Sequence, residues 1–149
     1  MKIKQGISIE EVPSIVDWAF NFFTHVITKN YFSIVVEKET NWNISAKLVD
    51  DNGNIMGLYL LGDKQLNSLI NITEYNDLKG VEGVLLAVDT SIRGKGWGNK
   101  LKDYPKTLGY DYIWGQQLKS LDNLNDWLKR RELVYSDEDI YITLEKFIK

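Results

Sequence analysis

Apolar positions along the chain change period several times, and each change marks an element. Residues 2–7 read as a short first strand. Ser8 and Glu11 then frame an S-x-x-E capping box, a pairing that satisfies free amides where a helix begins. Val12, Ile15, Val16, Ala19, Phe22, Phe23, Val26 and Ile27 follow at intervals of three and four. That spacing predicts an amphipathic helix of about four turns, with Pro13 tolerable in its first turn and Trp18 and Phe20 broadening its apolar face. The run from Tyr31 to Glu37 is too short to separate helix from strand.

Two apolar runs, 44–49 and 55–61, flank Asp50-Asp51-Asn52-Gly53-Asn54. Asn-Gly between such runs predicts a hairpin, because both residues tolerate positive φ. Residues 62–80 are polar and carry no decisive period. Val84 to Val88 is continuously apolar, as in a strand covered on both faces. A helix pattern runs from about Gly96 to Leu108, with Pro105 inside it as a kink or stop. Tyr110 to Gly115 reads as a strand. Leu121, Leu124, Trp127 and Leu128 suggest a last helix with Lys129, Arg130 and Arg131 at its carboxyl end, where cations suit the dipole. Ile140, Ile142 and Leu144 alternate as a closing strand. The order predicts an α/β fold, a mixed sheet with helices on both faces.

The chain has 149 residues, enough for one domain with its own core, and no linker, repeat or low-complexity tract divides it. A formal charge of −3 gives no general attraction to nucleic acid or anionic membranes. The absence of cysteine excludes disulfides, thiolate metal sites and a Cys nucleophile. The single histidine, His25, excludes a multi-His metal site; it reads as a packed or surface histidine, and no metal is expected. No run approaches the ~18 apolar residues of a membrane span, and the first residues carry no secretory pattern, so a cytoplasmic location is expected.

The chemistry sits at Arg93-Gly94-Lys95-Gly96-Trp97-Gly98, between an apolar strand and a helix. Glycines at alternate positions let the backbone turn and approach a ligand closely. Free amides at a helix start, with Arg93 and Lys95 beside them, make an anion site suited to phosphate. A Walker A loop is excluded: counted from Gly94, its second glycine falls on Asn99, and Leu101 follows Lys100. The dinucleotide fingerprint G-x-G-x-x-G fails as well, because its third glycine comes one position early.

The hexapeptide resembles the R/Q-x-x-G-x-G/A signature of the GNAT superfamily of acyl-CoA-dependent N-acetyltransferases. The flanking residues 84–92 resemble that family's fourth strand and following turn, residues 109–114 its fifth strand, and residues 50–57 the hairpin between its second and third. The resemblance implies a mixed, largely antiparallel sheet of six to seven strands with about four helices. It implies acetyl-CoA as cosubstrate, with its pyrophosphate on Arg93 to Gly98 and its pantetheine arm along Leu86, Ala87 and Val88. A backbone amide near Ala87 or Val88 would polarise the thioester carbonyl. Glu82 matches the place where some members carry a glutamate general base. Where many members carry a tyrosine acid on the last helix, this chain has Leu128; Tyr135, Tyr112 or a water are the substitutes, with Tyr135 the candidate acid.

The resemblance thus implies transfer of an acetyl or short acyl group to an amine by direct attack in a ternary complex. The acceptor is a small-molecule or protein amine, bound by residues 18–40 and 62–80. Leu128 favours an alternative, a catalytically silent module that binds CoA. A phosphate-binding protein unrelated to CoA is a third reading. The basic residues Lys100, Lys102, Lys106 and Lys129 to Arg131 read as solvated surface, some of them available to the 3′-phosphate of CoA. Aromatic and basic residues are not interleaved as in a nucleic-acid platform. Monomer and homodimer both fit the sequence.

Overall fold

The computed structural model describes residues 1–119 and 124–147. Its centre is a seven-stranded sheet: β1 (Lys2–Gln5), β2 (Ala46–Val49), β3 (Ile55–Gly62), β4 (Gly80–Val88), β5 (Tyr112–Leu118), β6 (Glu132–Ser136) and β7 (Ile140–Lys146). The strands lie in the order β1-β2-β3-β4-β5-β7-β6. Every neighbouring pair is antiparallel except β4 and β5, which are parallel. The helices are α1 (Val12–Phe20), α2 (Lys29–Glu39), α3 (Trp97–Asp103) and α4 (Leu124–Leu128). This is the expected mixed, largely antiparallel sheet flanked by four helices.

Strand alternation sorts side chains onto two faces. Leu58, Leu60, Leu85 and Ala87 pack against Val12, Ile15, Val16 and Ala19 of α1 and Phe32 and Val36 of α2. Leu48, Tyr59, Leu61, Val81 and Ile113 point the other way, toward Leu101 of α3 and Tyr104. Each buried Leu or Ile contributes roughly 1.5–3 kcal/mol relative to exposure. A third cluster seats Leu66 and Tyr75, from two 3-10 turns in the 62–80 connection, on Tyr112, Trp114, Ile142 and Leu144.

Several boundaries differ from the sequence expectations. The first helix ends at Phe20 instead of running to Ile27. Phe23 stacks on Phe32 of α2 at 5.3 Å, packing that accompanies the turn between the two helices, while Phe22 keeps an i,i+4 contact with Trp18 at 5.1 Å. His25 is exposed in the turn that follows. The ambiguous 31–37 run is helical, with Thr28 Oγ1 accepting the Tyr31 N–H at 3.3 Å as its cap. Pro105 does end α3, which passes into a 3-10 helix over Tyr104–Leu108. In the hairpin only Gly53 takes positive φ, and Asp50 Oδ1 accepts the N–H groups of Asn52 and Asn54 to close the turn. Leu121 lies outside the described residues.

Candidate functional site

Two strands paired in parallel at one end and apart at the other define the site. β4 meets β5 over three rungs only, Gly80–Tyr112, Val81–Ile113 and Glu82–Trp114. Beyond them β4 stays paired with β3 as far as Val88, and β5 with β7 as far as Leu118. Each strand is therefore fixed from behind while its other edge, from Gly83 and from Gly115 onward, opens into a wedge. The β3–β4 register shifts between Leu60 and Leu61, which leaves Val84 as an extra residue beside the apex.

A cleft of about 250 Å³ passes through this wedge. Phe23, Val26, Ile27, Phe32, Val35 and Val36 wall it on the α1–α2 face. Gly83 to Leu86 and Gln116 to Leu118 form its sides, and Tyr59 and Trp127 lie toward the α3 face.

The free edge of β4, including Leu86, Ala87 and Val88, leads through a 3-10 turn (Thr90–Ile92) straight to the glycine loop. Gly94 and Gly96 have φ of +79° and +88°, the left-handed region that costs an L side chain most. Nothing lies within 4 Å of where a Cβ on Gly94, Gly96 or Gly98 would stand. After Arg93 the next main-chain hydrogen bond is from Lys100 N–H to the Gly96 carbonyl, 3.2 Å. Among the described residues, no loop hydrogen bond from the N–H groups of Gly94 to Gly98 to a protein acceptor reaches ordinary geometry, residues 93 and 94 form a turn, and the space beside the three glycine Cα atoms is open. Arg93 stays close, its Nε donating to the Val88 carbonyl at 3.3 Å.

Glu82 occupies the last paired rung, at the apex. Its side chain lies on the α2 face, with Oε1 only 3.2 Å from where a Cβ on Gly62 would stand. That oxygen is buried and has no hydrogen-bond partner among the described residues. Burial, and then the Glu39 carboxylate, push the Glu82 pKa up to about 7, against a smaller opposing pull from Lys64. A carboxylate half-protonated near neutrality is suited to taking a proton.

Tyr135 is not part of this assembly. It lies on the edge strand β6, two strands from β5, is 39% exposed, and donates its hydroxyl proton to Asp137 at 3.0 Å. The Asp137 carboxylate that accepts its proton raises its pKa. Tyr112 is also committed elsewhere: its ring packs in the third cluster and its hydroxyl accepts the Leu66 N–H at 3.3 Å. Leu128 is exposed. The basic run divides: Arg130 and Lys106 pair with Asp103 and Glu145, and Lys129 pairs with Asp126. Arg131, expected on the surface, is instead buried.

Searched by sequence, the chain matches no family model and no curated protein. Solved structures do match it. Arylalkylamine N-acetyltransferase 2 from Aedes aegypti superposes with a TM-score of 0.72 at 14% identity, over 99% of this chain and 100% of that one. A GNAT-family acetyltransferase from Listeria monocytogenes gives 0.70 at 10% identity, over 97% and 94%. PaiA N-acetyltransferase from Thermoplasma acidophilum, in complex with coenzyme A, gives 0.63 at 12% identity, over 98% and 99%. This is the GNAT fold. Identities this low leave the GNAT fold as what is shared, so chemistry must come from the chain's own residues.

Two buried residues of this GNAT-fold site escape a reading of the sequence. Tyr59 is 1% exposed and accepts a hydrogen bond from Arg131 Nη2 at 2.8 Å. Its signal was a phenol in an otherwise apolar strand, since a buried hydroxyl needs a partner. Arg131 had no such signal, because the Lys-Arg-Arg run looks like helix surface.

Proposed function

We propose that the protein is an acyl-CoA-dependent N-acyltransferase, a single domain over residues 1–149, moving an acetyl or short acyl group to a primary amine. One observation supports this reading: a strand edge released from its neighbour runs directly into a glycine loop whose N–H groups make no strong protein hydrogen bond and whose three glycines border open space. An extended pantetheine arm fits the first and a pyrophosphate the second. Gly94, Lys95, Gly96, Trp97 and Gly98 hold the pyrophosphate through main-chain N–H groups, with Arg93 and Lys95 adding charge. Leu86, Ala87 and Val88 hold the arm through their backbone, so apolar side chains suffice there. The thioester supplies an activated acyl carbon; N–H groups on the same edge stabilise its oxygen as charge develops. Glu82, directly or through a water, takes the proton the attacking amine loses.

The acceptor side of the cleft is lined by four aliphatic and two aromatic residues between Phe23 and Val36. That lining supports an amine with an apolar body more than a polycation, in keeping with the arylalkylamine enzyme of the same fold.

Thermal shift with acetyl-CoA, CoA and ATP tests the cofactor. Stabilisation of about 2.7 kcal/mol is expected at a hundredfold excess over Kd. A response to ATP alone would replace the reading with a nucleotide-binding one. Thiol release from acetyl-CoA, measured across arylalkylamines, polyamines, aminoglycosides and lysine peptides, tests the transfer. The position of Leu128 favours a silent CoA-binding module as the second reading; binding without release on any amine would select it.

A further inference from the structure

We propose that Tyr59 and Arg131 form the receiving site for the departing CoA thiolate, with the Tyr59 hydroxyl as its proton donor. The inference rests on the acyl-CoA reading above and adds the acid that reading lacks.

Placement comes first. Gly83 and Gly115 are the first residues beyond the last β4–β5 rung. A Cβ on Gly83 would stand 3.1 Å from the Tyr59 hydroxyl, and one on Gly115 would stand 3.2 Å from Arg131 Nη1. The phenol and the guanidinium therefore lie buried directly beneath the wedge apex, and the two glycines place no side chain between them and it. From Val88, beside the glycine loop, to Gly83 is five residues of strand, roughly 16 Å at 3.3 Å per residue. An extended pantetheine arm covers a comparable distance, which brings its sulfur to this apex and puts the thioester carbonyl beside the amides of Gly83 and Val84, not those of Ala87 or Val88 expected from the sequence.

The chemistry follows from what the two groups lack. Arg131 is 7% exposed, and among the described residues no carboxylate pairs with it. Its contacts are the Tyr59 hydroxyl, Thr143 Oγ1 at 3.4 Å and the Trp127 ring at 4.3 Å. A buried cation among neutral partners is costly unless an anion joins it. Tyr59 uses its oxygen to accept from Arg131, and among the described residues no acceptor takes its own proton. Burial raises the Tyr59 pKa on balance and Arg131 opposes the rise only in part, so proton donation depends on Arg131 holding the phenolate that forms. The other charges that reach it, Glu145 and Arg130, have opposite signs and stand 3.6 Å apart.

The step balances. The amine nitrogen bonds to the acyl carbon, the C–S bond breaks, and its electron pair stays on sulfur. Sulfur takes the Tyr59 proton, and the phenolate is held by Arg131. Water passes the proton collected on Glu82 to Tyr59. Glu82 and Tyr59 lie on opposite faces of the sheet, which suits an amine arriving from one side and a thiol leaving on the other.

The test titrates CoA bound to the full-length protein, following thiolate absorbance in the ultraviolet, for wild type, Tyr59→Phe and Arg131→Met. Bound thiol is expected to ionise at a proton concentration at least about tenfold higher than free CoA. Arg131→Met should abolish that difference with CoA still bound, and a cooperative thermal melt close to that of wild type shows that the variant is folded. Tyr59→Phe should lower kcat by about a hundredfold on the best amine, with KM for acetyl-CoA unchanged. Thiol that titrates like free CoA in wild type, or identically in wild type and Arg131→Met, overturns the inference alone. A raised KM with intact kcat in Tyr59→Phe does the same. Failure of wild type to bind CoA would remove the acyl-CoA reading itself, and this inference with it.

Discussion

At Glu82 one carboxylate oxygen is buried without a partner, and the consequence is a group that titrates near pH 7. A general base must be ionised, so kcat/KM should rise with pH and level off above about 7. Glu82→Gln should lose about 10²- to 10⁴-fold in kcat, lose the rising limb and keep CoA affinity. The same shift has a stability sign. The folded protein holds a proton on Glu82 to a higher pH than the unfolded chain, whose glutamate titrates near about 4.3. The stabilisation from that proton is complete below the unfolded value and disappears as pH rises through about 7. Glu82→Gln has no such loss, so its Tm relative to wild type should climb between pH 4 and 8; a constant difference would count against the burial described. In the loop, Gly96→Asp should abolish the CoA-induced thermal shift, because a carboxylate would face the pyrophosphate. Gly96→Asn carries similar backbone strain without the charge and should retain part of the shift.

Among elements, the short β4–β5 contact bears the most structural demand. A Cβ on Gly80 would come within 2.2 Å of the Tyr112 ring, at the first of the three rungs. Gly80→Ala should therefore cost about 1–3 kcal/mol through overpacking, measured by chemical denaturation. Gln65 guards the same rung, accepting the Gly80 N–H at 2.7 Å and donating to its carbonyl at 2.8 Å. Elements with long apolar runs or turn residues were readable beforehand: β3, β4, the hairpin and the loop at Arg93 to Gly98. The break in α1 was not, because it depends on how Phe23 packs against Phe32 of the next helix, which the apolar spacing of residues 12–27 does not encode. β6 was missed because an edge strand as short as Glu132–Ser136 buries too little to show a pattern. The extra residue at Val84 and the inward turn of Arg131 depend on strand pairing and tertiary contacts, which local periodicity does not encode.

For the molecule as a whole, the wedge leaves two strand edges inside the sheet without hydrogen-bond partners on one side. CoA should supply partners to one of them. Hydrogen exchange at the β5-facing amides of Val84 to Val88 should slow on CoA addition, while amides of β2 that face β1 change little. Equal slowing everywhere would indicate general stabilisation instead of a ligand seated on that edge. The cleft also perforates the sheet, with walls contributed from both faces. A barrier with a window in it lets two molecules meet while each keeps to its own side. On the acyl-transfer function proposed above, donor and acceptor would come to the cleft from opposite faces, and kinetics recorded at varied concentrations of both should give intersecting lines.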